Sequence, residues 1–318
     1  VSVTATFSEA VIVDNSSGTP TLTLAVGDDN QTATYTSGSG GTTLVFKYTI
    51  QVGETDSNGI SIRADVLALN SGTIKDATGN NATLTHNAVS DNSSYKVDTT
   101  APTANLTKAN DNEGTVKGDF TSDNTTDDTA LVLSGTNEAG SSVKVYDNST
   151  ELGTATAEST TSWSYSASVT NGTTHLFNVR ETDLAGNTSA ATSNLAVTGD
   201  TAAPTANFTA ATDDIGTVQG ALTSGDTTDD TAALLLTGTN ESRSSVKVYD
   251  NSTELGTATA ESTTSWSYSA TVNDGTTYQF NVRETDLAGN TSNATNNFAV
   301  TGDTTPPTVS SVAITSAT

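Results

Sequence analysis

Short runs rich in Val, Thr, Tyr and Phe punctuate the chain, among them Val1–Phe7, Thr42–Ile50, Ala130–Thr136 and Thr173–Val179. Clusters of Gly, Asn, Asp and Ser separate them. Such runs, bounded by turn-forming residues, predict short strands joined by tight turns. No stretch of useful length carries a helical period of 3.6 residues. Gly38–Gly41 (GSGG) lies between two strand runs and reads as a hairpin turn rather than a phosphate cradle. The pattern predicts an all-β chain with about seven short strands per domain, most simply arranged as sandwiches.

Residues 141–167 (SSVKVYDNSTELGTATAESTTSWSYSA) recur letter for letter at 244–270, and FNVRETDLAGNTS at 177–189 recurs at 280–292. A period this long is that of a whole small domain, not of a solenoid turn. The organisation is therefore three domains, 1–98, 99–200 and 201–303, with a tail, 304–318, that reads as a connector and the first strand of a further domain. Leu, Ile, Val and Phe supply 58 of 318 residues, and the net charge is −25. That composition borders on disorder. The recurring strand runs argue for thin but real cores instead. In domain 2 the expected strands are A at 103–108, B at 129–136, C at 142–147, F at 173–182 and G at 188–198.

The acidic excess, 36 Asp and Glu against 11 Lys and Arg, argues against nucleic acid and anionic lipid as partners. No apolar run is long enough to insert directly into a membrane. With no Cys there are no disulfides, and the compartment is left open. The chain opens in mid-strand at Val1, which reads as an excerpt of a longer one.

The acidic residues fall at the domain boundaries. DTTAP at 98–102, DTAAP at 200–204 and DTTPP at 303–307 are short, proline-stiffened connectors, each begun by an Asp. In a sandwich the B–C and F–G loops share the end where the chain enters. Glu138 on B–C and Asp183 on F–G should therefore approach Asp98, and Glu241 and Asp286 should approach Asp200. Converging carboxylates repel unless a cation lies between them, and Ca²⁺ takes six to eight oxygen ligands. Zn²⁺ lacks its Cys and His ligands here, and Mg²⁺ keeps more water. The opposite end carries a long acidic A–B segment, Asn110–Thr129, with Asp111, Asp127 and Asp128 as the candidate ligands. Domain 3 repeats them as Asp213, Asp229 and Asp230. Such a segment is either ordered by an ion or simply solvated. Acidic residues should thus meet at the second joint from both sides. In domain 1 the matching Glu–Asp pair is Glu9 and Asp76.

The combination of DTTAP, GTNEAGSSVKVYD, W-S-Y and ETDLAGN resembles the bacterial Ig-like repeats of giant calcium-dependent surface adhesins, including RTX-type biofilm adhesins. Domain 1, with VTATFSEAV and KDATGNNA, resembles a sister Ig-like type from the same adhesins. The resemblance implies tandem Ig-like β-sandwich domains in an elongated rod, calcium between neighbouring repeats, and a place outside the bacterial cell, at its surface, as extender segments.

A catalytic reading fails on inventory. The two His are His86 and His175, and His175 is replaced by Tyr278 in the copied domain. Trp163 and Trp266 read as core aromatics, and Arg180 and Arg283 as counter-charges to the F–G loop. Two other functions remain open: a ligand-binding or homophilic adhesion module, most simply through domain 1, and a strand-exchange filament subunit. The latter follows from registering Val3–Glu9 on strand B of domain 2, which leaves domain 1 without a strand A. Thr308–Ile314 reads as a spare strand, so head-to-tail self-association is expected if it fills that position in another copy.

Overall fold

The computed structural model describes residues 1–313 and 315. Domain 1 holds β1 (Ser2–Asp14), β2 (Thr21–Val26), β3 (Asp29–Ser37), β4 (Gly41–Lys47), β5 (Thr55–Asp56), β6 (Leu67–Ala68), β7 (Thr73–Lys75) and β8 (Val97–Asp98). Six of them form one curled sheet in the order β6-β2-β3-β4-β1-β7, and β5 pairs with β8. The GSGG run makes the expected hairpin, with Gly38 and Gly40 at positive φ between β3 and β4. Leu22, Leu24, Leu44, Phe46 and Ile74 fill the core.

Domain 2 holds β9 (Lys108–Asp111), β10 (Gly118–Phe120), β11 (Asn124–Thr126), β12 (Ala130–Thr136), β13 (Ser142–Asp147), β14 (Thr150–Thr154), β15 (Thr156–Ser159), β16 (Ser162–Ser168), β17 (Thr174–Thr182) and β18 (Leu195–Gly199). One sheet runs β10-β9-β12-β16-β15, the other β11-β18-β17-β13-β14, and β11 lies parallel to β18. The two sheets enclose Leu131, Leu133 and Trp163 from one side, and Val143, Val145, Phe177 and Val179 from the other. Period-2 alternation aims these residues inward. Domain 3 repeats the plan with β19 (Asn207–Asp213), β20 (Gly220–Ala221), β21 (Asp226–Thr228), β22 (Leu234–Thr239), β23 (Ser245–Asp250), β24 (Thr253–Thr257), β25 (Thr259–Ser262), β26 (Ser265–Ala270), β27 (Thr277–Thr285) and β28 (Phe298–Gly302). The chain is thus all-β, in tandem sandwiches.

Two strands of domain 2 depart from the expected ranges. Strand A pairs only over Lys108–Asp111, not from 103. Strand G begins at Leu195, because between 188 and 194 hydroxyls stand in for ladder groups. Ser189 Oγ accepts from Glu181 N, and Thr192 Oγ1 accepts from Val179 N.

Domain 1 differs where the missing strand was expected. In domain 2, β12 is flanked by both β9 and β16. In domain 1, the N-terminal half of β1 pairs with β4 alone. Tyr48 and Val1 exchange both backbone hydrogen bonds, so alternation turns the peptide groups of Ser2, Thr4 and Thr6 away from β4. Beside this edge lies a cavity of about 590 Å³, lined by Thr4–Glu9, Leu22, Leu67 and Asn80–Asn87. At the other end, residues 304–313 form no strand, with Val309 and Val312 exposed. Ile314, the last residue of the expected spare strand, lies outside the described residues.

Candidate metal centres

At the first joint, β12 ends in the turn Asn137–Ser141 and β17 runs out into the F–G loop. Asn187 ties the loop to the connector: its amide donates to the Asp98 backbone carbonyl at 3.0 Å and to Asp183 Oδ2 at 2.8 Å. The Asn187 side chain first, then the backbone N–H groups of Asn187, Gly186 and Ala185, hold the Asp183 carboxyl below its ordinary range. Asp98 spends Oδ1 on capping its own turn, accepting from Thr100 N. Beneath the B–C turn lies a residue that the sequence reading overlooked. Glu181 is fully buried at an inward position of β17. Its Oε1 accepts from Glu138 N at 2.6 Å and Ser141 Oγ at 2.5 Å, while Oε2 is buried with no hydrogen-bond partner.

The second joint repeats this with Glu284, whose Oε1 accepts from Glu241 N and Ser244 Oγ and whose Oε2 is likewise orphaned. Asn290 donates to the Asp200 carbonyl at 2.8 Å and to Asp286 Oδ2 at 2.9 Å. Here the acidic groups lie within each other's field. Desolvation, then the charges of Glu284, Asp286 and Asp200, push the Glu241 carboxyl upward. The A–B segment of domain 2 also reaches this joint, but it is not a bare loop, since β10 and β11 pair within it. Burial, then Asp111, Asp286 and Asp128, raise the Asp127 carboxyl, and Asp127 Oδ1 is orphaned. Asp111 receives Glu113 N and the Thr126 hydroxyl, and Asp128 receives Asn112 N and Ala130 N. Gly114 sits at φ 58° with the Asp127 carboxylate where a Cβ would stand, so a side chain here would strain the turn and displace that carboxylate.

Domain 3 builds the same frame at its far end. Asp213 accepts from Ile215 N and Thr228 Oγ1, Asp230 accepts from Ala233 N with Oδ2 orphaned, and Asp229 is exposed. Glu9 and Asp76 both line the domain 1 cavity. Asp76 serves its own turn: hydrogen bonds from Asn80 and Thr78 saturate it and lower it to about 2. The Arg expectation fails. Arg180 reaches the Ser189 carbonyl, and Arg283 lies over the Tyr249 ring, its Cζ 5.9 Å from the centroid. Trp163 and Trp266 are core residues, as expected.

Among the described residues, no three Asp, Glu, His or Cys side chains close into a ready-made metal cage. The expected carboxylates share a neighbourhood without sharing a centre, because turn caps and Asn187 or Asn290 hold several of their oxygens. The donor chemistry nevertheless fits a hard cation. The orphaned buried atoms include four carboxylate oxygens, of Asp127, Glu181, Asp230 and Glu284, and two amide oxygens beside the B–C glutamates, of Asn137 and Asn240. Buried acceptors without donors are rare and costly, and oxygens of these types are what Ca²⁺ takes.

Solved structures resemble the chain weakly. A protein from Corynebacterium diphtheriae described as membrane anchored shares 11% identity over 95% of this chain and 86% of its own, with a TM-score of 0.27. The SGBP-B protein of the Bacteroides ovatus mixed-linkage glucan utilization locus shares 10% identity over 95% of this chain and 64% of its own, with a TM-score of 0.20. Sidekick-1 immunoglobulin domains 1–4 share 11% identity over 93% and 69%, with a TM-score of 0.20. Scores this low carry no argument about function. No curated protein matches the chain. The sequence itself matches the bacterial Ig-like domain family twice, at residues 98–201 and 203–304, which is more than half its length. With two sandwiches built on one strand plan over those same residues, the chain belongs to the bacterial Ig-like domain family.

Proposed function

We propose that the chain is an extender segment of a bacterial cell-surface adhesin, its tandem domains stiffened into a rod by calcium at the joints. The observation that carries this reading is the orphaned, fully buried carboxylate oxygen of Glu181 and Glu284, repeated beside each connector. At the second joint Asp200, Glu241, Glu284 and Asp286 would hold the ion together with Asp111, Asp127 and Asp128. At the first, Asp98, Glu138, Glu181 and Asp183 would. A bound divalent cation supplies the positive charge that these carboxylates lack. The chain's own residues do the positioning: Asn187 and Asn290 tie loop to connector, and the B–C turn donates to the buried glutamate. Thermal melting and small-angle scattering test the reading, with and without calcium. Chelation is expected to lower the melting temperature and the maximum dimension. Unchanged values in both would refute it.

The open edge of β1 and the cavity beside it support a second reading, strand addition from another copy. The segment after the third connector, with exposed Val309 and Val312, is the expected donor. Light scattering should then show oligomers of the intact chain that deletion of residues 306–318 abolishes. A chain that stays monomeric at about 100 µM, where weak interfaces still register, rejects this reading.

A further inference from the structure

The F–G loops of domains 2 and 3 have one sequence, ETDLAGNTS, but two environments. In domain 3 the loop is covered. Ala288 and Gly289 are buried, and Leu287 is 41% exposed. What covers it is the turn between β9 and β10 of domain 2. Thr115 Oγ1 donates to the Gly289 carbonyl at 2.8 Å, and a Cβ on Gly289 would stand 2.9 Å from Val116 N. Gly289 also has φ 103°, so this close approach needs glycine twice over. In domain 2 the same loop is bare. Leu184 is 84% exposed, Ala185 and Gly186 are exposed, and nothing lies within 4 Å of where a Cβ on Gly186 would be.

The other half of the contact also occurs bare. Gly-Thr-Val at 114–116 recurs at 216–218, where it meets no loop, and Val218 is 83% exposed against 48% for Val116. Domain 1 has no free counterpart to offer. Its nearest sequence, Gly72-Thr73-Ile74, is built into β7, with Ile74 in the core. Next to the first connector, where Gly53 N donates to Thr99 Oγ1, Val52 stands wholly in solvent. The tie from Asn187 to the connector is therefore matched at both joints, whereas the plug and socket exist at the second alone.

We infer that without calcium the two joints are mechanically unequal: domains 2 and 3 lock through the Thr115–Val116 plug in the Ala288–Gly289 socket, and domain 1 swings about the first connector. The contact is small, but a short proline-stiffened connector keeps the effective concentration of plug and socket high, so a weak contact stays closed. It consists of protein atoms only, so the inference stands apart from the calcium reading.

The absence of Cys makes spin labelling clean. Electron–electron distance measurements on Thr32→Cys with Thr156→Cys read the first joint. Thr156→Cys with Thr259→Cys, at equivalent exposed positions of the two repeats, reads the second. In chelator the second pair is expected to give one narrow distribution and the first a broad one. Two equally broad or two equally narrow distributions would overturn the inference. The double variant Thr115→Ala, Val116→Asp changes half-exposed residues outside the core and should broaden the second pair to match the first. A second joint that stays narrow in that variant also overturns it. Adding calcium to the same samples tests the other reading separately: distributions that ignore calcium count against calcium stiffening and leave the inequality standing.

Discussion

Replacing Glu284 by Gln separates a buried carboxylate from a buried hydrogen-bond acceptor. The amide oxygen of Gln can still accept from Glu241 N and Ser244 Oγ, so the B–C turn keeps its anchor. What changes is the charge beside the orphaned Oε2. In chelator, wild type holds that charge out of water and without a counter-ion. The desolvation penalty is several kcal/mol per ion even after relaxation. The new amide N–H group is a buried donor that costs about 1–3 kcal/mol of this gain if it finds no acceptor. The net expectation in chelator is stabilisation by about 1–3 kcal/mol. With calcium at 1,000 times its Kd, wild type gains about 4.1 kcal/mol that the variant forfeits. The sign of the mutational effect should therefore reverse between the two conditions. At roughly 4–8 °C per kcal/mol for a domain of this size, differential scanning calorimetry resolves the reversal easily. A melting-temperature shift of the same sign and size with and without calcium would refute the reasoning, because Glu284 would then be an ordinary buried polar residue.

Other outcomes follow from the same geometry. Asp127 and Glu241 are raised above ordinary values of 3.8 and 4.5, so they begin to protonate at higher pH than free carboxylates do. Protons and cation compete for the same oxygens, so calcium affinity at the second joint should weaken as pH falls toward that window; calorimetric titrations at pH 7 and pH 5 with equal Kd would contradict this. In chelator the linkage runs the other way, since the folded state binds these protons more tightly than the unfolded. These two groups alone should make the calcium-free protein lose stability as pH rises through the same window, which urea titrations at graded pH would read. His175→Tyr should cost less than about 1 kcal/mol in urea unfolding, since Tyr278 fills the same role in domain 3. His175 Nε2 accepts from Thr170 N, and Tyr278 OH accepts from Asn273 N. A loss of several kcal/mol would mean that the His175–Asp147 contact at 2.8 Å contributes something Tyr cannot replace.

Alternation alone was enough to read strand C, and Ser142–Asp147 falls where the pattern put it. Strand A lies later than its expected range of 103–108, because Leu106 packs on the core from an irregular segment after Pro102 and the paired strand is Lys108–Asp111. Strand G was read too early, because Ser189 and Thr192 join it to β17 through hydroxyls, which composition does not distinguish from ladder pairing. The acidic meeting at the second joint was legible from the repeat, since the connectors, the F–G loops and the A–B segment all carry Asp. Glu181 was missed although a signal existed: Phe177, Val179 and Glu181 share the inward phase of one strand, and a charge in that phase must be partnered. The plug and socket were not legible. Identical loops at 183–187 and 286–290 gave no hint that the neighbouring domain, not the loop, decides burial.

Isothermal calorimetry of the intact chain with calcium tests the central claim most directly. Saturable uptake is expected at millimolar concentration or below, with Glu181→Gln and Glu284→Gln each removing one class of site. A flat titration up to millimolar calcium would contradict the account, leaving the orphaned carboxylates without a counter-ion and the joints without their proposed stiffener.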